Sequence, residues 1–271
     1  MKKKFFGKCH ICGLETELSF EHIPPKKAFN NHAILYKSLA ELMAEDQGKE
    51  SKGIIDQRGF GRHSLCSPCN NNTGKWYGMA FVQWACYGMD ILGLTRLEPN
   101  LHYSLNIYPL RVIKQILSMF CSINNPYLTE NYKDIRRFLL NKNEKYVPSG
   151  IRIYVYYCIG PGLRSVALTG RRNWTNNISR FDVISEMTYP PYGYVLSFDE
   201  NTPDDRLYDI TYFGRYGYDE KAYVSLKLPV LPVHTWFPGD YRNEKQVEDD
   251  VGRNLAMKEH MNKMKLVKPH S

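Results

Sequence analysis

Residues 9–13 read Cys-His-Ile-Cys-Gly, and residues 65–70 read Leu-Cys-Ser-Pro-Cys-Asn. Each stretch holds two cysteines separated by two residues, so the two stretches together supply four thiolates. Four thiolates form the closed tetrahedral ligand set of a structural zinc ion. The sequence therefore predicts one structural zinc site in the N-terminal part of the chain. Its ligands are Cys9, Cys12, Cys66 and Cys69.

The two cysteine pairs are separated by 53 residues, more than in a simple zinc finger. A helix predicted near Ala33–Glu45 accounts for the excess, and glycine-rich turn signals follow from Gly48 to Gly61. Loop closure costs only logarithmically more entropy as a loop lengthens, so the insertion is compatible with a shared site. The second pair opens a helix, for which the asparagines from Asn70 onward are the expected capping residues.

A second group of polar residues lies between and just after the cysteine pairs. Residues 20–25 read Phe-Glu-His-Ile-Pro-Pro, and Asn70 follows the last cysteine. Zinc held by four thiolates has no open position for water, so catalysis needs other ligands. A histidine with a pKa near 6.5 accepts a proton at neutral pH, and a hard divalent ion prefers oxygen ligands. Glu21, His22 and Asn70 are therefore candidate catalytic residues.

In this order, the motifs resemble the HNH endonucleases, specifically their four-cysteine zinc-binding subgroup, over residues 8–78. The resemblance implies a treble-clef ββα-metal module that hydrolyses phosphodiester bonds in nucleic acid, with DNA as the expected substrate. It implies that His22 is the general base and that Glu21 is a ligand of a catalytic Mg²⁺ or Mn²⁺ ion. It also implies that Asn70 is a second ligand of that ion through its side-chain oxygen.

The chain departs from the family pattern just before the second cysteine pair. The middle asparagine, which orients the base, has no match in residues 59–66. Arg62 or His63 could take its place, and His63 is also the rival of His22 as the base. The role assigned to Asn70 could likewise shift to one of the residues at 71–73.

The rest of the chain divides into a helical and a β-rich part. Apolar residues at helical spacing predict helices over 108–123 and 127–140, and the segment 77–92, apolar almost all round, is expected to be a buried helix. After Pro148 the pattern changes to β-branched and aromatic runs that predict an antiparallel sheet or small barrel. The predicted strands are 151–159, 164–168, 180–187, 193–198, 207–213 and 222–230, and a polar helix covers 244–265. The predicted fold class is α+β, with an HNH module (1–80), a helical segment (81–147) and a β-rich C-terminal domain (148–271).

Composition is that of a folded, basic protein. The chain is 43% hydrophobic and 24% charged, and most of its formal net charge of +8 lies in residues 1–150. This distribution suits a polyanionic partner such as nucleic acid. No apolar run approaches the roughly 20 residues that span a bilayer, so we expect a cytoplasmic protein without a membrane partner. A homo-oligomer, or an unidentified protein or ligand bound through the C-terminal domain, remains open.

Two other functions are compatible with the same motifs. The main alternative is a non-catalytic zinc-dependent nucleic-acid-binding or interaction protein, because zinc binding does not require catalysis. An enzyme with its site in residues 81–241 is less supported, since that segment carries no P-loop, dinucleotide fingerprint or nucleophile elbow. HNH modules joined to a second domain resemble restriction and anti-phage proteins, which suggests a role in prokaryotic defence by analogy alone.

Overall fold

The computed structural model describes residues 4–37, 41, 52–94, 100–175, 178–198 and 202–266. Helices pack with three sheets of three, seven and two strands, and nearly all strand pairs are antiparallel. A mixed fold of helices and antiparallel sheets is therefore confirmed.

The N-terminal part contains two small sheets. Its strands are β1 (Phe5–Lys8), β2 (Glu15–His22), β3 (Ile34–Tyr36), β4 (Ile54–Asp56) and β5 (Gly61–Cys66). Strands β1, β2 and β5 form one antiparallel sheet in that order, and β3 pairs with β4. The prediction of a helix near Ala33–Glu45 is wrong for Ile34–Tyr36, where β-branched and aromatic residues favour a strand. Residues 38–40 and 42–45 of that prediction lie outside the described residues.

The second cysteine pair opens a helix, as predicted. Helix α1 (Ser67–Thr73) begins directly after β5 and continues through a π-helical turn, Gly74–Gly78, into α2 (Met79–Leu94). Its N-cap is Cys66, with no side-chain capping bond, so the prediction that asparagines cap this helix is wrong. A proline in the first turn fits, because its missing N–H has no partner at that position anyway.

The segment predicted to be mostly helical also contains a strand. Helices α3 (Pro109–Ile123), α4 (Tyr127–Asn131) and α5 (Lys133–Leu140) occupy the predicted positions, but Asn100–Ile107 is strand β6. In β6, Leu105 and Ile107 are buried at every second position, the period of a strand with one buried face.

The C-terminal sheet has seven strands. They are β6, β7 (Arg152–Ile159), β8 (Arg164–Thr175), β9 (Ile178–Tyr189), β10 (Tyr192–Ser197), β11 (Tyr208–Asp209) and β12 (Ala222–Pro232). The order is β6-β12-β7-β10-β9-β8, with β11 also paired to β7. Strand β12 pairs with β7 in parallel, an exception to the predicted antiparallel arrangement. The strand predicted over 207–213 is only two residues long, because a 3₁₀ helix forms at Thr211–Arg215.

The larger of two hydrophobic clusters among the described residues joins the predicted segments. A single cluster of buried side chains extends from Cys9 in the N-terminal part to Leu228 in β12. Helix α3 lies at its centre, and fourteen of its fifteen residues are buried. The tail forms helix α6 (Glu244–Leu266), as predicted. Among the described residues, no helix is both long and apolar enough to cross a membrane.

Candidate metal centre and adjacent cleft

The four predicted cysteine ligands come together in one cluster. Their Sγ atoms all lie within 4.8 Å of one another, and the Sγ atoms of Cys12 and Cys66 are 3.8 Å apart. A tetrahedral zinc with Zn–S distances of about 2.3 Å requires sulfur separations of roughly 3.8 Å. The cluster could therefore hold a metal ion such as zinc.

Local backbone structure aims these thiols inward. The first pair lies in a turn between β1 and β2, closed by hydrogen bonds from Cys9 N to Leu14 O and from Gly13 N to Cys9 O, both 2.9 Å long. The Cys66 backbone N–H donates to Cys9 Sγ at 3.3 Å. The hydrogen bond from the Cys69 thiol, with help from backbone N–H groups, lowers the pKa of Cys9. A lowered thiol pKa favours the thiolate that a metal ion needs.

A cleft of about 350 Å³ brings the three predicted catalytic residues together. Glu21 and His22, at the end of β2, and Asn70, in α1, all line this cleft. Two basic residues, Lys26 and Lys27, line it as well. The floor includes Gly74 and Gly78 of the π-helical turn and Gln115 of α3. Three residues chosen from sequence alone thus share one surface with basic side chains.

His22 is held in an orientation that suits a base. Its Nε2 lies 3.1 Å from the backbone oxygen of Arg58, so Nε2 carries the proton and Nδ1 is the unprotonated ring nitrogen. Nδ1 has no hydrogen-bond partner among the described residues. Burial, and the positive charges of Lys26 and Arg58, lower the pKa of His22 from 6.5, so its imidazole is neutral at pH 7.

A backbone carbonyl, that of Arg58, orients His22. Gly59 has a φ of +89°, which glycine adopts without strain, in the turn that presents Arg58 O to His22. The buried side chain of Asn30 fastens this turn to the segment after His22, because its Nδ2 donates to Pro24 O and Phe60 O and its Oδ1 accepts from Phe60 N, all at 2.7 Å.

The two residues considered for that role point elsewhere. Arg62 Nη1 donates to Ile123 O at 3.1 Å. His63 Nδ1 lies 3.2 Å from Leu18 O, and its ring stacks on Phe5 at 3.8 Å. His63 does not line the cleft that holds His22. No sequence motif identifies Asn30 or Arg58 as part of the site, because both act through contacts with residues distant in sequence.

Glu21 points into the core rather than to solvent. It is 6% exposed, and its carboxyl oxygen Oε2 accepts a 2.5 Å hydrogen bond from Ser122 Oγ of α3. Burial raises the pKa of Glu21 to about 8, and the charge of the Cys9 thiolate adds to the increase. The carboxyl group therefore carries a proton at neutral pH when no cation is bound.

Asn70 packs against β2 through its amide nitrogen. Nδ2 donates to Ser19 Oγ at 3.0 Å and to Phe20 O at 3.2 Å. Oδ1 has no partner among the described residues, so the oxygen remains for a ligand in the cleft. Asn70 thus fastens the helix to the strand that carries the other two candidates.

A polar stripe on α3 faces this region and was not predicted. Gln115, Ser118 and Ser122 are all at most 2% exposed and recur every three or four residues, which places them on one face of the helix. Gln115 Oε1 and Ser118 Oγ have no hydrogen-bond partner among the described residues. Buried polar atoms without partners commonly mark an unseen water or ion. The helical spacing of polar residues within an apolar run was the available sequence signal.

Comparison with known proteins gives no relative. No protein-family model matches the chain, and neither a curated protein nor a solved structure is significantly similar to it. The function proposed next therefore rests on the residues and their geometry.

Proposed function

We propose that this protein is a metal-dependent endonuclease of the HNH type, which hydrolyses phosphodiester bonds in nucleic acid, with DNA as the expected substrate. One observation carries the proposal: Glu21, His22 and Asn70 line a single cleft, and Asn70 directly follows a cysteine of the four-thiol cluster. The first cysteine pair lies in the turn of the β1–β2 hairpin, and the second pair opens helix α1 directly after β5, an arrangement that supports a treble-clef ββα-metal module.

The metal bound by the four cysteines is structural zinc in this proposal. All four ligand positions are filled by protein thiolates, so no position is left for water or substrate. Zinc binding fixes the turn before β2 and the start of α1, the two elements that carry the candidate catalytic residues. Its contribution to activity is therefore to hold β2 against α1.

His22 is the general base. Its neutral imidazole takes a proton from a water molecule on Nδ1 as that water forms a bond to phosphorus, and the bond from phosphorus to the 3′-oxygen breaks. The hydrogen bond from Nε2 to Arg58 O keeps the tautomer fixed and stabilises the positive charge that then forms on the ring. The leaving oxygen takes a proton from solvent.

The cleft also offers a donor set that suits a hard divalent ion. Glu21, Asn70 and Gln115 all line the cleft and carry side-chain oxygens, the ligand type that Mg²⁺ and Mn²⁺ prefer. When bound, such an ion supplies Lewis-acid stabilisation of charge on the phosphoryl and leaving oxygens. Glu21 must lose its proton to act as a ligand, so the buried carboxyl group and the ion depend on each other.

Basic side chains at the rim position the phosphate backbone. Lys26 and Lys27 line the cleft beside His22, and no carboxylate other than that of Glu21 occurs among its described lining residues. Contacts of this kind set register and affinity without reading base sequence. They support nucleic acid as the substrate class.

One observation favours a second candidate, a non-catalytic zinc-dependent nucleic-acid-binding protein. Glu21 is protonated and bonded to Ser122, an arrangement that is complete without a catalytic ion. This alternative predicts binding that weakens with salt and no cleavage in Mg²⁺ or Mn²⁺.

The deciding experiment measures cleavage of plasmid, single-stranded DNA and RNA by the purified chain. Wild type, His22→Ala and His63→Ala are compared with Mg²⁺, with Mn²⁺ and without divalent ions, after zinc content and folding have been verified. We expect metal-dependent cleavage that falls by about 10²- to 10⁴-fold in His22→Ala. His63→Ala is the matched control, because His63 lies on the same sheet outside the cleft, and it should retain activity.

Two results contradict the proposal. Cleavage that survives in His22→Ala and is lost in His63→Ala assigns the base to His63. Salt-sensitive binding by zinc-loaded wild type, with no cleavage of any substrate under any metal condition, favours the non-catalytic alternative.

A further inference from the structure

A second cavity, of about 620 Å³, lies where the N-terminal part meets the C-terminal sheet, and we call it the junction cavity. One side is formed by Ile23, Pro24 and Phe60, and the other by the turn between β9 and β10 and by residues 234–236. Its volume falls within the range of about 300–1,000 Å³ typical of small-molecule sites. None of the proposed catalytic residues lines it.

The walls of the junction cavity are aromatic. They carry Tyr36, Phe60, Phe81, Tyr189, Tyr192, Tyr194 and Trp236. Several of these rings are already fixed by neighbours: Tyr36 stacks on Phe60 at 5.7 Å, and Trp236 stacks on Phe237 at 3.8 Å. Ordered aromatic walls favour a ligand with a planar ring, which stacks on them at little entropic cost.

The charge of the lining has one sign. Lys37, Arg62 and Arg164 line the cavity, and no carboxylate occurs among its described lining residues. Arg164 is occupied by Glu186 and by backbone oxygens. Arg62 donates only Nη1, to Ile123 O, so its Nε and Nη2 have no acceptor among the described residues. An arginine fork without a carboxylate partner suits a phosphate.

An unpaired hydroxyl lies in the same lining. Ser165 Oγ, on β8, is buried and has no hydrogen-bond partner among the described residues. Aromatic walls, an unpaired guanidinium edge and a lone hydroxyl together match a planar ring that carries an anion. We propose that the junction cavity binds a nucleotide-class ligand, an aromatic base with a phosphate, and that this ligand regulates the cleft holding His22.

Direct hydrogen bonds connect the two sites. Ile23 and Pro24 immediately follow His22, and Ile23 N donates to Phe60 O at 2.9 Å. Phe60 follows the turn whose Arg58 carbonyl orients His22. A ligand packed on Pro24 and Phe60 therefore contacts both segments that fix the imidazole. The regulatory half of the proposal rests on the proposed nuclease function, whereas the binding half does not.

Binding is tested by calorimetry on the full zinc-loaded chain without divalent ions, using AMP, ATP, inorganic phosphate and indole-3-acetate as probes. We expect AMP or ATP to bind more tightly than phosphate or the aromatic carboxylate. Trp236→Ala and Arg62→Gln should each weaken binding by about tenfold or more, roughly the loss of one stacking or charged contact. Arg152→Gln and Tyr223→Ala are matched controls, with exposed side chains outside the cavity, and should bind as wild type.

His22→Ala distinguishes this site from the catalytic cleft, and it should bind the nucleotides as wild type does. Loss of binding in His22→Ala, unchanged binding in both cavity variants, or the absence of nucleotide binding overturns the proposal. Preference for indole-3-acetate overturns the nucleotide class.

Regulation is tested by plasmid cleavage with and without the bound nucleotide. We expect the rate to change several-fold in wild type and not in Trp236→Ala. An active nuclease whose rate ignores a bound nucleotide overturns the regulatory half. A chain that binds the nucleotide but never cleaves refutes the nuclease and leaves the binding site established.

Discussion

Two buried glutamates in this chain have opposite surroundings. Glu186 accepts hydrogen bonds from Arg164 Nη1 (3.1 Å), Tyr156 Oη (2.5 Å) and the backbone N–H of Gly239 (2.6 Å). Glu21 accepts a hydrogen bond from the hydroxyl of Ser122, and no cation contacts it among the described residues. Arg164 supplies a counter-charge for Glu186, whereas Glu21 has no counter-charge among the described residues.

The difference separates a structural network from a candidate site. A buried carboxylate paired with arginine holds its surroundings in one arrangement, and here it fastens residues 235–240 to β8 and β9. A buried carboxyl group without a cation keeps its proton until a cation arrives. The helix that carries Ser122, the partner of Glu21, also holds two buried oxygens without a hydrogen-bond partner among the described residues, Gln115 Oε1 and Ser118 Oγ.

Removal of zinc should have the largest effect, because it should destabilise the region around Glu21 and leave the region around Glu186 intact. A structural zinc contributes about 10–16 kcal/mol in small zinc domains, and here it would hold β2 and α1 together around Glu21. We expect chelation, or Cys69→Ser, to abolish hydrogen-exchange protection in β2 and α1 while β7, β9 and β10 around Glu186 stay protected. Simultaneous loss of protection in both regions would show that they unfold as one unit.

Breaking the Glu186 network should have the next largest effect. Arg164→Met leaves a fully buried carboxylate without its cation, which typically costs about 3–5 kcal/mol. Urea unfolding measures this loss, and the double variant Arg164→Met with Glu186→Gln should recover a large part of it. A loss below about 1 kcal/mol in the single variant would mean that solvent reaches Glu186.

Local patterns predicted much of the fold and the four-cysteine cluster. Two cysteine pairs predicted a four-thiol cluster, and β-branched and aromatic runs predicted β7, β9 and β10, because each signal lies within a few neighbouring residues. Strand β6 escaped prediction because its identity depends on pairing with β12, more than 100 residues away. The parallel contact between β12 and β7 has the same cause.

The missed parts of the site share this dependence on distance. Ser122 meets Glu21 across 101 residues of sequence, and Asn30 ties two loops that the sequence does not mark as neighbours. A carbonyl of Arg58, rather than a side chain, orients His22, so residue identity gave no signal for it. Side-chain type identified the candidate residues, whereas their surroundings depend on tertiary packing.

Most substitutions of buried residues destabilise a protein, but Glu21→Gln should stabilise this one. The folded protein keeps the Glu21 proton to a pH of about 8, whereas the unfolded chain loses it near 4.5, so the folded state binds more protons between these values. Stability therefore falls as pH rises through this window, by about 1.4 kcal/mol per unit for a single group. At pH 7, without divalent ions, the free energy of unfolding of Glu21→Gln should exceed that of wild type by up to about 3 kcal/mol.

Unfolding by urea between pH 6 and 8 measures this effect while zinc stays bound. Bound zinc stabilises both proteins equally, so the difference between their free energies of unfolding reports on Glu21 alone. Glu186→Gln is the matched control and should destabilise, because it weakens a buried pair with Arg164. A Glu21→Gln protein less stable than wild type at pH 8 would place a counter-charge beside Glu21 in the metal-free state.

Substitution of Gln115 should have the smallest effect on stability. It should also change activity independently of stability. Gln115→Met removes a buried amide oxygen that has no hydrogen-bond partner and keeps the side-chain length, so we expect a gain of about 1 kcal/mol in the metal-free protein. Ser118→Ala is the matched control, since its hydroxyl is also buried and unpartnered but lies outside the cleft lining. Both variants should be more stable in urea, and only Gln115→Met should lose Mg²⁺-dependent cleavage, because Gln115 lines the cleft and Ser118 does not. Equal cleavage by the two variants would make the whole polar stripe a packing feature of α3.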